Sequence, residues 1–172
     1  MQLIINGRFV ENHWKDAESF AHSADEPTLV KYSEQLEIDE VGSRAPEHTG
    51  LIVENSLSAD ALIRFFDRVR LIVIEFPSQM DGRGYSLATT IRRLGYTHEL
   101  RARGEIIADQ YHHLRACSFD SVEITREIAE RHTELEWRKA WMRFPLRYQA
   151  RVSRLSSILD QRHSQLDKSI VN

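Results

Sequence analysis

The stretch from Gly50 to Glu123 most constrains what this chain can fold into, because short apolar runs there alternate with segments of helical periodicity. Leu51-Ile52-Val53-Glu54 reads as a strand. Ser58 can then cap a helix whose Leu62, Phe65, Phe66 and Val69 form one apolar stripe. Leu71 to Phe76 follows at once, apolar on both faces, as expected of a central parallel strand. A second helix begins near Tyr85 or Ser86, turns Leu87, Ala88, Ile91 and Leu94 inward and stops at Gly95. Tyr96 to Ala102 is the third strand, Glu105 to Ala116 the third helix, with Ile107, Tyr111 and Leu114 inward, and Ser121 to Ile124 the fourth strand. Four strands separated by three helices predict right-handed βαβ crossovers. The fold class is α/β: a four-stranded, mostly parallel sheet, open or half-barrel-like.

Two flanking regions complete the expectation. In residues 1–49, Asn6-Gly7 between Leu3–Ile5 and Arg8–Val10 supplies the positive φ angles of a tight hairpin, and Glu11 to Thr49 reads as a loop-rich lead-in around Pro27 and Pro46. Residues 50–124 are the βα core. Residues 125–172 read as a long helical extension, with Ile128, Leu135 and Met142 seven apart and a break or kink at Pro145. A basic stripe of Lys139, Arg143, Arg147, Arg151 and Arg154 runs along it, beside Trp137 and Trp141.

A chain of 172 residues supports one good core. No apolar run is long enough to span a bilayer and the N-terminus lacks a signal-peptide pattern, so a cytoplasmic protein without a membrane partner is expected. The one cysteine, Cys117, excludes an internal disulfide and a cysteine-rich metal or iron–sulfur site within one chain. His112 and His113 point about 100° apart on a helix, so no metal is expected. With neither a flavin nor a dinucleotide fingerprint, no cofactor is expected either. The net charge of −3 hides an asymmetry: residues 1–57 carry 4 basic and 11 acidic side chains, residues 125–172 carry 10 and 6. Opposite ends favour head-to-tail contact between chains, a homo-oligomer, or docking to a charged protein, while the acidic balance argues against nucleic acid.

In parallel α/β sheets ligands bind beyond the carboxyl ends of the strands. Pro77 to Ser86 lies at such an end and combines flexible Gly82 and Gly84, the Arg83 guanidinium, the Asp81 carboxylate and a helix N-terminus. Arg103-Gly104-Glu105 and Glu123 to Thr125 are the other two. Arg101 and Arg103 alternate along one strand and therefore face the same way. The residues predict a small-anion site at Arg83, Gly84 and Ser86 with one or both of those arginines. The plainer expectation is that Asp81 pairs with an arginine while the glycines shape the loop, and that Asp109 and Gln110 make a solvated face or a helix-to-loop hydrogen bond. Cys117, near a helix C-terminus, reads as packing.

Glu75-Phe76-Pro77, Asp81-Gly82-Arg83-Gly84-Tyr85-Ser86, Leu94-Gly95-Tyr96, Glu99-Leu100-Arg101-Ala102, Asp109-Gln110 and Arg115-x-Cys117-x-Phe119-Asp120 together resemble a bacterial family of unknown function. Its members are commonly described as oxidoreductases involved in sulfite reduction. The resemblance is strong from Gly50 to Glu123 and weak at Phe144 to Gln149. His98 and Ser118 stand where the family pattern has glycine, and Arg103 where it has a small apolar residue, which favours Arg101 for the anion site. The resemblance implies a role in sulfur assimilation. Two function classes follow: an accessory or electron-transfer partner of sulfite reductase that binds a small anion, or an α/β enzyme acting on a sulfur-containing or phosphorylated molecule with Asp81 or Asp109 as acid/base.

Overall fold

The computed structural model describes residues 1–19 and 25–142. Their strands are β1 (Gln2–Ile5), β2 (Arg8–Val10), β3 (Lys15–Ala17), β4 (Thr28–Lys31), β5 (Thr49–Glu54), β6 (Leu71–Phe76), β7 (Glu99–Gly104) and β8 (Ser121–Ile124). The helices are α1 (Ile38–Gly42), α2 (Arg83–Arg93), α3 (Tyr111–Ala116), α4 (Arg126–Arg131) and α5 (Glu134–Met142), with 3₁₀ turns at Pro46–His48, Ala59–Phe65 and Ala108–Gln110. The four expected strands are β5 to β8, but the sheet has eight, in the order β2-β1-β8-β7-β6-β5-β4-β3. The extra strands come from the hairpin and from the lead-in expected to be loops. β3 and β4 are only three and four residues long, too short for a clear alternation, and parallel pairing with β5 is what makes them strands.

From β3 to β8 each strand lies parallel to the one before it, while β1 runs antiparallel to β8. A sheet wound in one direction by right-handed crossovers keeps its connections on one face. That face carries Val30, Leu51, Val53, Ile72, Ile74, Leu100, Ala102 and Val122, packed with Leu62, Phe65, Leu87, Ile91 and Leu114 from the helical layer. The stripes read from the sequence are buried except at their margins: Leu94, expected inward at the end of α2, is exposed, and Ile107 is half-buried. Ile4, Trp137 and Ala140 join the same core, so hairpin, βα units and α5 share it.

The other face is concave. Arg103 on β7 reaches Asp16 on β3 at 2.8 Å, although these strands stand four places apart. In a flat sheet they would be roughly 19 Å apart, beyond the combined reach of the two side chains, so the sheet must curl. The result is an open, curled half-barrel.

Asn6 (φ 54°) and Gly7 (φ 74°) make the expected hairpin turn. Ser118 has φ 71°, a left-handed angle that glycine adopts at no steric cost, which explains why glycine suits this position. The C-terminal expectation needs correction: the helix breaks between α4 and α5. Thr133 N–H donates to Glu136 Oε2 at 2.7 Å, a capping arrangement that starts a new helix. Consequently Ile128 is buried, but Leu135 and Met142 are exposed and do not continue its stripe. Pro145 and the basic stripe beyond Lys139 lie outside the described residues.

Candidate functional site

The concave face has two halves. Over the body of β4 to β6 it is apolar, where Leu29, Ile52, Leu71 and Val73 pack with Trp14, and only the carboxyl ends of these strands carry charge. On β7 and β8 it is charged: Arg101, Arg103 and Glu123 are all buried, at 1%, 5% and 2% exposure. Alternation puts Val122 and Ile124 in the core and leaves Glu123 facing the arginines.

Charges taken out of water persist only when paired and hydrogen-bonded. Here Glu123 Oε2 accepts from Arg101 Nη1 at 3.2 Å and from Arg103 Nε and Nη2 at 3.1 and 3.0 Å, while its Oε1 accepts from Asn12 Nδ2 at 3.2 Å. Arg101 also donates to Glu99 Oε1 through Nε and Nη2, to Ser121 Oγ and to Asn12 Oδ1. The second edge of Arg103 grips Asp16: Nη1 donates to Oδ2 at 2.8 Å and Nη2 to Oδ1 at 3.1 Å. Burial by itself would lower the Arg103 pKa, but Glu123 and Asp16 outweigh it and the net direction is upward. Asn12, Trp14 and Asp16 belong to the segment that runs from β2, at one edge of the sheet, to β3 at the other. It straps the open side of the half-barrel.

Toward the carboxyl ends, register aligns Glu54, Glu75, Arg103 and Glu123 in one row across β5 to β8. The Lys31 ammonium, at the end of β4, lies 3.2 Å from Glu54 and 3.5 Å from Glu75. Its pKa is raised, first by the Glu54 hydrogen bond and then by the Glu75 charge.

The Pro77 to Ser86 loop leaves the same end of the sheet. Asp81 Oδ1 accepts from the Arg83 backbone N–H and from Arg83 Nε at 3.0 Å, and Oδ2 accepts from Nη2 at 2.6 Å. Those bonds, the Arg83 side chain's first, hold the Asp81 carboxyl well below the usual carboxylate range. It is an acceptor that positions an arginine and stays ionised near neutrality, the opposite of a poised general acid. The Arg83 side chain nevertheless remains 62% exposed. Its Nε and Nη2 edge is occupied, which turns the Nη1 side away from Asp81.

Gly84 answers to packing: a Cβ there would run into the Phe76 ring. Ser86 is exposed on the first turn of α2, and its carbonyl accepts from Thr90 Oγ1 at 2.9 Å. Arg83 and Arg101 are not brought to a common partner, since Arg101 belongs to the buried face with Arg103. Asp109 is exposed on the 3₁₀ turn before α3. Its neighbour Gln110 accepts from Ile107 N–H and donates to Gln79 O at 2.9 Å, the helix-to-loop bond anticipated from the sequence, tying the β7–α3 connection to the Pro77 to Ser86 loop.

Other motif residues serve the amino-terminal ends of the strands. Tyr96 Oη lies within hydrogen-bonding distance of Val69 O and Glu99 O, and Arg92 donates to Tyr96 O, His98 O, Ser118 O and Asp120. Arg115 donates to Trp141 O and stacks 3.4 Å from the Trp141 ring centre, which fastens α5 to α3. Cys117 Sγ is 4.0 Å from His113 Nε2, a neighbour one helical turn back.

Asn12, Asp16 and Lys31 were not among the residues singled out from the sequence. Their partners lie tens of residues away, and an isolated polar residue in an irregular stretch carries no local sign of that. Glu123 had a signal: a carboxylate alternating with Val122 and Ile124 beside a strand that presents Arg101 and Arg103.

Residues 50–159 match a family described as bacterial protein of unknown function (DUF934). No curated protein matches the chain.

Proposed function

The chain belongs to this bacterial family of unknown function, and from that premise we propose that it is an accessory, oxidoreductase-associated protein of assimilatory sulfite reduction that binds a small anion at the 81–86 loop. The observation that carries this reading is the Arg83 guanidinium, fixed on one edge by both Asp81 oxygens yet 62% exposed at the carboxyl-end mouth of a parallel half-barrel. A pre-oriented arginine loses little side-chain freedom on meeting an oxyanion. Ser86 lies on the same helical turn, and the N–H groups opening α2 add partial positive charge. Arg101, held by Glu99 and Glu123 on the buried concave face, stands apart from this site.

In this reading the protein is cytoplasmic and delivers or senses a sulfur oxyanion for sulfite reductase. The residues Lys139, Arg143, Arg147, Arg151 and Arg154 supply the charge for docking that partner. Among the described residues no helix is long and apolar enough to cross a membrane.

Calorimetry with sulfite tests the site: the unaltered chain gives saturable heat and Arg83→Ala abolishes it. Equal affinity in the two would overturn the anion reading. Sulfite reductase assayed from the native host with and without this chain tests the pathway; co-purification and loss of activity without the chain are expected, and an unchanged rate with no co-purification contradicts it.

A further inference from the structure

The structure assigns a second oxyanion site to the Arg103 fork, one that Asp16 fills from within the chain. Three observations carry it. The contact is two-pronged, with Nη1 and Nη2 of one guanidinium on Oδ2 and Oδ1 of one carboxylate at 2.8 and 3.1 Å, the geometry with which arginine takes any anion offering two suitably spaced oxygens. The two partners differ in burial: the Arg103 side chain is 6% exposed and fixed from behind by Glu123, whereas the Asp16 side chain is 60% exposed. The charges also differ in necessity. Glu99 and Glu123 already balance Arg101 and Arg103, so Asp16 is the surplus negative charge, and replacing it by a free monoanion leaves the cluster's charge unchanged.

Asp16 sits on β3, three residues of edge strand, so release of its side chain disturbs little of the sheet. It is nonetheless tethered, and a tethered ligand competes at an effective concentration in the millimolar range. A free anion therefore binds the unaltered chain weakly at this fork, with its affinity reduced by the fraction of molecules in which Asp16 is in place. The class of ligand is a small oxyanion with carboxylate-like oxygen spacing. Its arrival would loosen the strap at Asp16 while Asn12 and Trp14 keep their holds on Arg101, Glu123 and the apolar floor.

The test uses the full chain in an Arg83→Ala background, which removes the rim site, and titrates sulfate and formate in turn by calorimetry and by NMR of the arginine Nε–H groups. Adding Asp16→Ala is expected to tighten binding of at least one anion by about tenfold or more, with the Arg103 Nε–H resonance shifting on titration. If that variant does not fold, Asp16→Asn, which keeps the size of the side chain, is expected to move affinity in the same direction by less. Affinity no tighter than in Arg83→Ala alone, or tightening with the Arg103 resonance unmoved, overturns the assignment. The outcome is independent of the rim proposal, which fails separately if Arg83→Ala leaves sulfite binding to the otherwise unaltered chain intact.

Discussion

Two sets of arginine–carboxylate pairs occupy this half-barrel, and they differ in what water can reach. Arg101 and Arg103 with Glu123 are buried on the concave face, while at the mouth a largely exposed Arg83 holds a half-buried Asp81. Both Arg83 and Arg103 hold a carboxylate through two nitrogens, so hydrogen-bond geometry does not separate them. The dielectric does. Inside, an ion that loses its partner has no water to replace it; outside, solvent and salt take over at once. The bonds of Arg101 and Arg103 to Glu123 therefore belong to the fold, the Arg83 edge is available to a ligand, and the Arg103 to Asp16 contact, buried on one side and open on the other, lies between them.

The largest effect that could break this contrast comes from Glu123. Glu123→Ala leaves two buried guanidiniums short of their shared acceptor and is expected to destabilise the chain by about 3–5 kcal/mol, read from urea denaturation. A loss below about 1 kcal/mol would mean that water enters the concave face and that the contrast is false.

Next is Gly84, which sits in the rim loop but answers to the core. Gly84→Ala pushes a methyl group into the Phe76 ring and is expected to cost about 1–3 kcal/mol, because Phe76 also packs edge-on against Tyr85 and Phe119. An unchanged denaturation midpoint would show that the ring yields freely. Asp16, buried at one end of its contact and open at the other, should fall between the two sets: Asp16→Ala is expected to cost about 1 kcal/mol or less. A larger loss would place it with Glu123.

The smallest stability effect belongs to the exposed pair, where a titration is more informative. The Asp81 pKa is lowered in the folded chain, so the pair's contribution is present above the unfolded Asp value and is lost only as pH falls through the folded one. NMR of the Asp81 carboxyl carbon should give a midpoint below the ordinary value of about 3.9, and Arg83→Ala should raise it. A midpoint that does not respond would mean that Arg83 is not its main partner.

Much of the sheet can be read along the chain because β5 and β6 carry apolar runs and β8 alternates polar with apolar, each bounded by turns and helices. Asn6-Gly7 announces the hairpin in the same local way. β3 and β4 escape that kind of reading, since three or four residues have no period and their partners lie elsewhere in the sequence. The break before α5 could have been seen: Thr133 followed three residues later by Glu136 is a capping signature, masked by the coincidental spacing of Ile128, Leu135 and Met142. At the candidate site, the adjacency of Asp81 and Arg83 is local and legible. The Arg103 to Asp16 contact joins residues 87 apart and exists only because the sheet curls.

The most direct test is a sulfite titration of the unaltered chain followed through its backbone amides by NMR. Saturable shifts at Gly82, Arg83 and Gly84, with Leu94, Gly95 and Tyr96 at the opposite end of the sheet unmoved, are the predicted result. Shifts confined to that opposite end, or none at the rim, would contradict a carboxyl-end anion site.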